Sequence, residues 1–229
     1  MTAKMTAKTT PQSTDNGSIQ HTDTETCPLC HGRGDLFYRD CFFCCRDCLG
    51  IFKPTRFLPS PAAEKARYEQ HNNDVNNLSY QRFVAPIVNA VKQDFCTDSI
   101  GLDFGAGTGP VISKLLTDAG YTLQQFDPFF CNQPEVLNAK YDYIVCCEVI
   151  EHFHNPDKEF TLLKQRLKPN GRLYCMTHLY TDEIDFANWY YKNDETHVFI
   201  YQRDTLTKIK GNYQFSELTI TNRLSVFTN

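Results

Sequence analysis

Apolar spacing divides the chain into a long part where strand-like and helix-like runs alternate and an upstream part where they do not. Residues 99–104 are a short apolar run that ends at Gly105, and 111–119 carry helical spacing closed by Gly120. Residues 121–126 read as a second strand. Residues 141–147, nearly all apolar, read as a third, of the kind covered on both faces in a parallel sheet. Helical periodicity resumes over 148–167, Lys168-Pro169-Asn170-Gly171 makes a turn, and 172–177 are strand again. The tail, 215–227, alternates as a closing antiparallel pair. This pattern predicts an α/β, doubly wound, mostly parallel sheet over 99–229. Upstream, 62–73 and 80–95 have helical character, with Phe83, Ile87, Val88, Val91 and Phe95 on one face, so 61–98 is expected to cap the sheet.

The strand over 99–104 runs into Gly105, Gly107 and Gly109 and then a helix, an arrangement that brings backbone close to a ligand at the carboxyl edge of a sheet. Asp103 stands two residues before the first glycine. A carboxylate there repels a pyrophosphate and favours a ligand bearing an ammonium group. Asp127, 18 residues after Gly109, ends the next strand and is placed to accept both hydroxyls of a ribose.

The stretch Leu102-Asp103-Phe104-Gly105-Ala106-Gly107-Thr108-Gly109-Pro110, with Asp127, the 141–147 strand and the turn after Leu167, resembles the class I S-adenosylmethionine-dependent methyltransferases. The resemblance covers 99–229. It implies a Rossmann-like sheet, S-adenosyl-L-methionine as cofactor, and cofactor contacts from Asp103, Gly105, Gly107, Gly109 and Asp127. One departure stands out: only 15 positions separate Asp127 from Asp142, too few for the helix, strand and helix that usually intervene. The third strand of the usual sheet is therefore expected to be missing or vestigial, which bears on the adenine subsite.

After the 141–147 strand come Glu148, Glu151 and His152, related by i,i+3 and i,i+4, so a helix there would carry all three on one face. Two oxygen ligands and an imidazole make most of a site for Mg²⁺, Mn²⁺ or Zn²⁺. The alternative is an ordinary helix start, with glutamates favoured by the dipole and His152 bonded to backbone. E-x-x-E-H at this place resembles the motif of the ubiquinone-biosynthesis O-methyltransferases and of the terminal 2′-O-methyltransferases of small RNAs. That resemblance implies metal ligation by Glu148, Glu151, His152 and His197, with Glu148 and His152 serving catalysis. Without a metal, His152 is the candidate general base. His154 and His178 are weaker candidates.

Composition adds the cysteines. Of 11, six fall within residues 27–48: Cys27, Cys30, Cys41, Cys44, Cys45 and Cys48. Residues 1–26 are polar and Thr-rich, without the apolar core of a signal peptide, and read as a disordered leader. The expected compartment is reducing and cytoplasmic, where clustered thiols point to metal. Cys27-Pro-Leu-Cys30 is one metal knuckle, and Cys41-Phe-Phe-Cys44 and Cys45-Arg-Asp-Cys48 compete for the other. Gly two residues after the second thiolate suits a tight knuckle turn; Gly32 and Gly50 provide it, whereas Arg46 follows Cys44. Cys27, Cys30, Cys45 and Cys48 are thus expected to form a structural zinc ribbon over 27–60.

The 229-residue chain has 23 Lys plus Arg against 27 Asp plus Glu, a net charge of −4, and no apolar run near the roughly 18 residues a membrane span needs. Arg33, Arg39, Arg46, Lys53 and Arg56 make only a modest basic cluster, so nucleic acid is a less favoured partner than a small molecule. Aromatics over 186–191 either stack on a flat acceptor or cover the core. Residues 67–73 resemble an N-terminal element of bacterial methyltransferase-like proteins that join a zinc ribbon to this domain. In those proteins a Tyr, His and Asn reach the cofactor pocket; Tyr68, His71 and Asn73 take those places here, with a solvated helix face as the alternative. The expected activity is O-methylation of a small molecule, with a divalent cation assisting where one binds. The alternatives are RNA 2′-O-methylation and a non-catalytic, cofactor-sensing module.

Overall fold

A computed structural model describes residues 24–70 and 73–229; the expected leader up to residue 23, and His71, lie outside the described residues. Thr24–Thr26, at the end of the segment set apart by composition, form strand β1, which pairs antiparallel with β2 (Arg33–Tyr38). β3 (Phe42–Cys45) and β4 (Ile51–Phe52) continue this small sheet. Helices α1 (Pro61–Tyr68) and α2 (Leu78–Asp94) follow, capped by Ser60 and Asn77 side chains that accept the first free amides.

The larger unit runs β5 (Ile100–Phe104), α3 (Val111–Asp118), β6 (Thr122–Phe126), β7 (Tyr141–Cys147), α4 (Pro156–Arg166), β8 (Leu167–Met176), β9 (Phe199–Ile200), α5 (Arg203–Asn212), β10 (Glu217–Thr221) and β11 (Leu224–Thr228). Its sheet has the order β10-β11-β8-β7-β5-β6, with β6, β5, β7 and β8 parallel and β11 antiparallel to both neighbours. The mostly parallel α/β sheet read from the pattern is the one observed. Only a 3-10 turn, Pro134–Asn138, lies between β6 and β7, and β6 has no further neighbour among the described residues. The extra strand has no counterpart because the chain is too short there to cross over and return.

The strands alternate their side chains between two cores. Tyr143, Val145, Tyr174 and Met176 pack on one face with Val84, Ile87, Val88 and Val91 of α2 and Ile112 and Leu116 of α3. Ile144, Cys146, Leu173 and Cys175 pack on the other with Phe160 and Leu163 of α4 and Leu206 and Ile209 of α5. α2 is therefore a layer of the fold as well as a cover.

The expectation of one helix over 148–167 is corrected. Glu148 has φ +52°, Ile150–His152 is a single 3-10 turn, and α4 begins only at Pro156. Asn155 accepts the Lys158 amide and proline occupies the first helical position, a start signal stronger than the periodicity before it. Glu148, Glu151 and His152 consequently do not share a helical face.

The small sheet is not a free appendage. β9, 147 positions beyond the end of β4, pairs with β4 as its fifth strand, Ile51 opposite Ile200 and Phe52 opposite Phe199. Phe52 stacks on Phe199, and Leu29, Phe43 and Phe52 join the same core as α4 and α5. Among the described residues no helix is long and apolar enough to cross a membrane. Phe52→Ala, which empties a fully buried site shared by both sheets, is expected to cost about 3–5 kcal/mol. Denaturant unfolding followed by Trp189 fluorescence and by circular dichroism should show one shared transition at lower midpoint; two separate transitions would mean independent modules.

Candidate functional site

A cavity of about 1220 Å³ opens at the carboxyl edge of β5, β6 and β7, lined by the glycine loop, the β6 end, α1 and the segment 190–197. The three glycines are required for three different reasons. Gly105 has φ +78° and a Cβ there would meet Val149 at 2.5 Å. At Gly109 a Cβ would lie 1.8 Å from the Asn73 carbonyl, so the chain after α1 crosses directly over the loop. Gly107, at φ +64°, is open among the described residues, where only Asn73 Nδ2, at 3.9 Å, comes near a Cβ. The loop amides are not spare, since Gly105 N and Ala106 N donate to Phe126 O and Gly107 N donates to Asp127 Oδ2 at 3.0 Å. The loop thus offers a concave surface more than a row of donors.

Asp127 holds that shape. Its Oδ1 accepts the amides of Phe129 and Phe130 at 2.8 and 3.1 Å. With three amides accepted, about one of the four lone-pair positions of a carboxylate remains toward the cavity. Asp103 is buried beneath the loop and accepts from Ser113 Oγ at 2.7 Å; burial pushes its carboxyl up to about 6. Tyr68 and Asn73 line the cavity with Gly105, Gly107 and Asp127, while Asp103 and Gly109 lie behind it.

His152 and His197, which line the cavity, converge with the fully buried Glu151 behind its wall, each of the three offering a ligand atom within 4.8 Å of the others. His152 Nδ1 engages Thr196 O at 2.9 Å and His197 Nδ1 engages Tyr191 O at 2.6 Å, so Nε2 is the ligand-side atom of each ring. Glu151 is fully buried; Oε1 accepts from Tyr191 Oη, and among the described residues Oε2 has no hydrogen-bond partner. A buried carboxylate oxygen without a partner is costly. A divalent cation would satisfy it, and a carboxylate with two neutral imidazoles is a donor set that suits one. Burial pushes the Glu151 carboxyl up to about 7 and, with the nearby His152, the His197 ring down to about 4.

Glu148 is not part of this group. Its left-handed backbone turns the carboxylate toward Arg223, whose Nη2 lies 2.7 and 2.8 Å from the two oxygens. Burial and the neighbouring Glu151 still push its carboxyl up to about 8. Arg223, in the β10–β11 turn, carried no motif that would have marked it. Glu64 is likewise a surprise: a buried acid on α1 that meets His154 Nε2 at 3.1 Å across the cavity. Its only signal was an acid on a helix already rich in polar groups.

In the small sheet Cys27, Cys30, Cys45 and Cys48 come together with all four sulfurs within 4.8 Å of one another. The two knuckles repeat the same turn: Cys27 N donates to Gly32 O and Cys45 N to Gly50 O, both at 2.9 Å, with His31 and Leu49 at φ near +59° and +58°. Cys44 points away, its thiol toward the Cys45 and Leu49 carbonyls.

A methyltransferase-domain family model matches residues 77–219, more than half of the chain. The chain belongs to that methyltransferase-domain family. No curated protein matches it. Among solved structures it is similar to an O-methyltransferase family protein from Burkholderia thailandensis, at 12% identity and TM-score 0.50 over 77% of this chain and 63% of that one. It is also similar to human N-acetylserotonin methyltransferase in complex with SAM, at 11% identity and TM-score 0.51 over 76% of this chain and 61% of that one. A third, magnesium protoporphyrin IX methyltransferase from Synechocystis PCC 6803 with bound SAH, is 17% identical with TM-score 0.49 over 74% of this chain and 93% of that one. The chain spans about three fifths of the length of the first two, and at these identities the likeness shows the fold.

Within this methyltransferase domain the depressed His197 pKa has a direction in pH. The unfolded ring takes a proton near pH 6.5 and the folded ring near 4, so the stability it confers is present above about 6.5 and lost as pH falls toward 4. His197→Gln is expected to remove of order 1–3 kcal/mol of that pH dependence, read as a flatter stability curve between pH 6.5 and 4.5 in urea titrations without added divalent cations. Parallel curves for both proteins would show that the His197 ring takes its proton at the same pH folded as unfolded.

Proposed function

We propose that this protein transfers a methyl group from S-adenosyl-L-methionine to an oxygen of a small-molecule acceptor, with a divalent cation held by Glu151, His152 and His197. The observation that carries the reading is the Oε2 of fully buried Glu151, orphaned among the described residues and set beside two imidazoles whose Nδ1 atoms engage carbonyls and which line a cavity shared with the glycine loop. Membership of the methyltransferase-domain family and the likeness in fold to an enzyme named for N-acetylserotonin, a small molecule, support it.

The cofactor supplies a methyl group on a sulfonium that leaves as a neutral thioether. Gly107 leaves room for it, Asp127 keeps one lone-pair direction for a ribose hydroxyl, and Tyr68 with Asn73 closes the cavity from the α1 side. His71, which lies outside the described residues, belongs to the same expected contact set. Asp103 acts from beneath, fixing the loop through Ser113 and contributing charge toward an ammonium group. A divalent cation lowers the pKa of an oxygen nucleophile and fixes its line of approach. Without one, His152 is the group placed to take the acceptor's proton, its ring oriented by Thr196 O. Glu148, paired with Arg223, sets the charge at the cavity wall beside it. Zinc on Cys27, Cys30, Cys45 and Cys48 is structural in this reading and holds β4 in place for β9.

Two measurements test it. Calorimetric titration of the folded protein with S-adenosylhomocysteine should give one site, weakened at least about tenfold in Gly107→Val, whose side chain fills the space the loop leaves open; no heat from the folded wild type would overturn the cofactor assignment. Elemental analysis with Mn²⁺ titration should find one tightly held zinc in wild type and in Glu151→Gln alike, and Mn²⁺ affinity about 10–100-fold lower in the variant. Equal Mn²⁺ binding in both would remove the second metal.

A further inference from the structure

Tyr191 touches two of the three converging ligands from opposite ends of the same residue. It lies in the 3-10 turn Tyr190–Asn193 and is buried. Its hydroxyl donates to Glu151 Oε1, and its backbone carbonyl accepts from His197 Nδ1 at 2.6 Å. The ring also packs on the His197 ring, centroids 4.1 Å apart. On the far side of the hydroxyl stands Thr177 Oγ1 at 2.8 Å, at the end of β8. Ionised, Glu151 only accepts, so the single phenolic proton goes to it, the nearer of two carboxylates (Glu148 Oε2 lies at 3.5 Å), and Thr177 Oγ1 donates to the phenolic oxygen beside the His178 amide at 3.4 Å. This relay has a definite consequence: with Oε1 tied to Tyr191, Oε2 is the oxygen left without a partner among the described residues, and it is the one available to a cation.

We propose that Tyr191 is the positioning residue of the Glu151–His152–His197 centre, its hydroxyl selecting which carboxylate oxygen of Glu151 ligates and its carbonyl selecting the Nε2-ligating tautomer of His197. The assignment rests on the divalent-cation reading above. The aromatic segment over 186–191 thus includes a residue that orients ligands, beyond stacking on an acceptor or covering a core. Groups that hydrogen-bond a metal's ligands in this way commonly govern 10–100-fold in metal affinity. His152 is oriented separately, by Thr196 O, so the loss on removing the Tyr191 hydroxyl should be partial.

The test uses Tyr191→Phe, which keeps the ring and the backbone carbonyl and removes only the hydroxyl. Mn²⁺ is titrated into the full-length, zinc-loaded protein and followed by electron paramagnetic resonance, with S-adenosylhomocysteine affinity measured in parallel. Expected are Mn²⁺ binding weaker by about 10–100-fold, an altered spectrum of the bound ion at saturating Mn²⁺, and unchanged S-adenosylhomocysteine affinity. Thr177→Val, which leaves the phenol but removes the group that aims its proton, should give a smaller loss of about three- to tenfold. Wild-type affinity and spectrum in Tyr191→Phe would overturn the assignment, as would equal losses of Mn²⁺ and S-adenosylhomocysteine binding, which mark a general packing role. Absence of Mn²⁺ binding in wild type would instead overturn the cation reading itself and the assignment with it.

Discussion

A ladder of two residue pairs, Ile51 with Ile200 and Phe52 with Phe199, makes one molecule of what could have been two modules. Its hydrogen bonds continue past the ladder: Lys53 N donates to Val198 O, and Val198 N donates to Glu151 O, both at 2.9 Å. The backbone that presents His197 is therefore hung between the cysteine-bound sheet and the turn that carries Glu151 and His152. Stacked Phe52 and Phe199 keep water from these bonds, and Gly50 is bare because a Cβ there would lie 2.4 Å from the Phe199 ring. Short pairing of this kind is marginal alone; burial in a common core is what makes it persist.

The polar centre sits where that construction is densest. Glu151 has no exposure, and Tyr191, Thr177 and Thr196 spend their polar atoms on it and its neighbours. Burying a carboxylate next to two histidines works against folding, as the raised Glu151 and lowered His197 pKa values express. The surrounding apolar packing offsets that cost and holds the groups at fixed spacing, which is the condition for orienting a reaction. Glu148 illustrates the same exchange on the backbone: a non-glycine residue in the left-handed region, stabilised there by its double contact with Arg223.

Much of this was legible in the chain. The runs at 99–104 and 141–147 match strands observed within a residue, because buried parallel strands have no alternative burial that suits them; 121–126 matches as closely although β6 is a half-exposed edge strand. The short gap between Asp127 and Asp142 foretold the missing strand. The knuckle glycines separated Cys45 and Cys48 from Cys41 and Cys44; at Gly50 a Cβ would run into the buried Phe199 ring, at 2.4 Å. What misled was periodicity after Cys147, where an i,i+3 and i,i+4 pattern was present but Asn155 and Pro156 start the helix eight residues beyond position 148.

Sequence alone determined the fold class, the glycine loop with its two aspartates, and which four cysteines assemble. These follow from local rules: side-chain period, turn stereochemistry and the spacing of thiolates along a hairpin. Only the tertiary structure decided that Glu148 faces Arg223 instead of joining Glu151, that Gly109 is bare for the Asn73 carbonyl, and that β9 closes the cysteine sheet. Each of those depends on segments 36 to 147 positions apart, with no spacing in the chain to announce the meeting. Their contacts are chosen by whichever arrangement buries the most apolar surface with no polar group left needlessly alone.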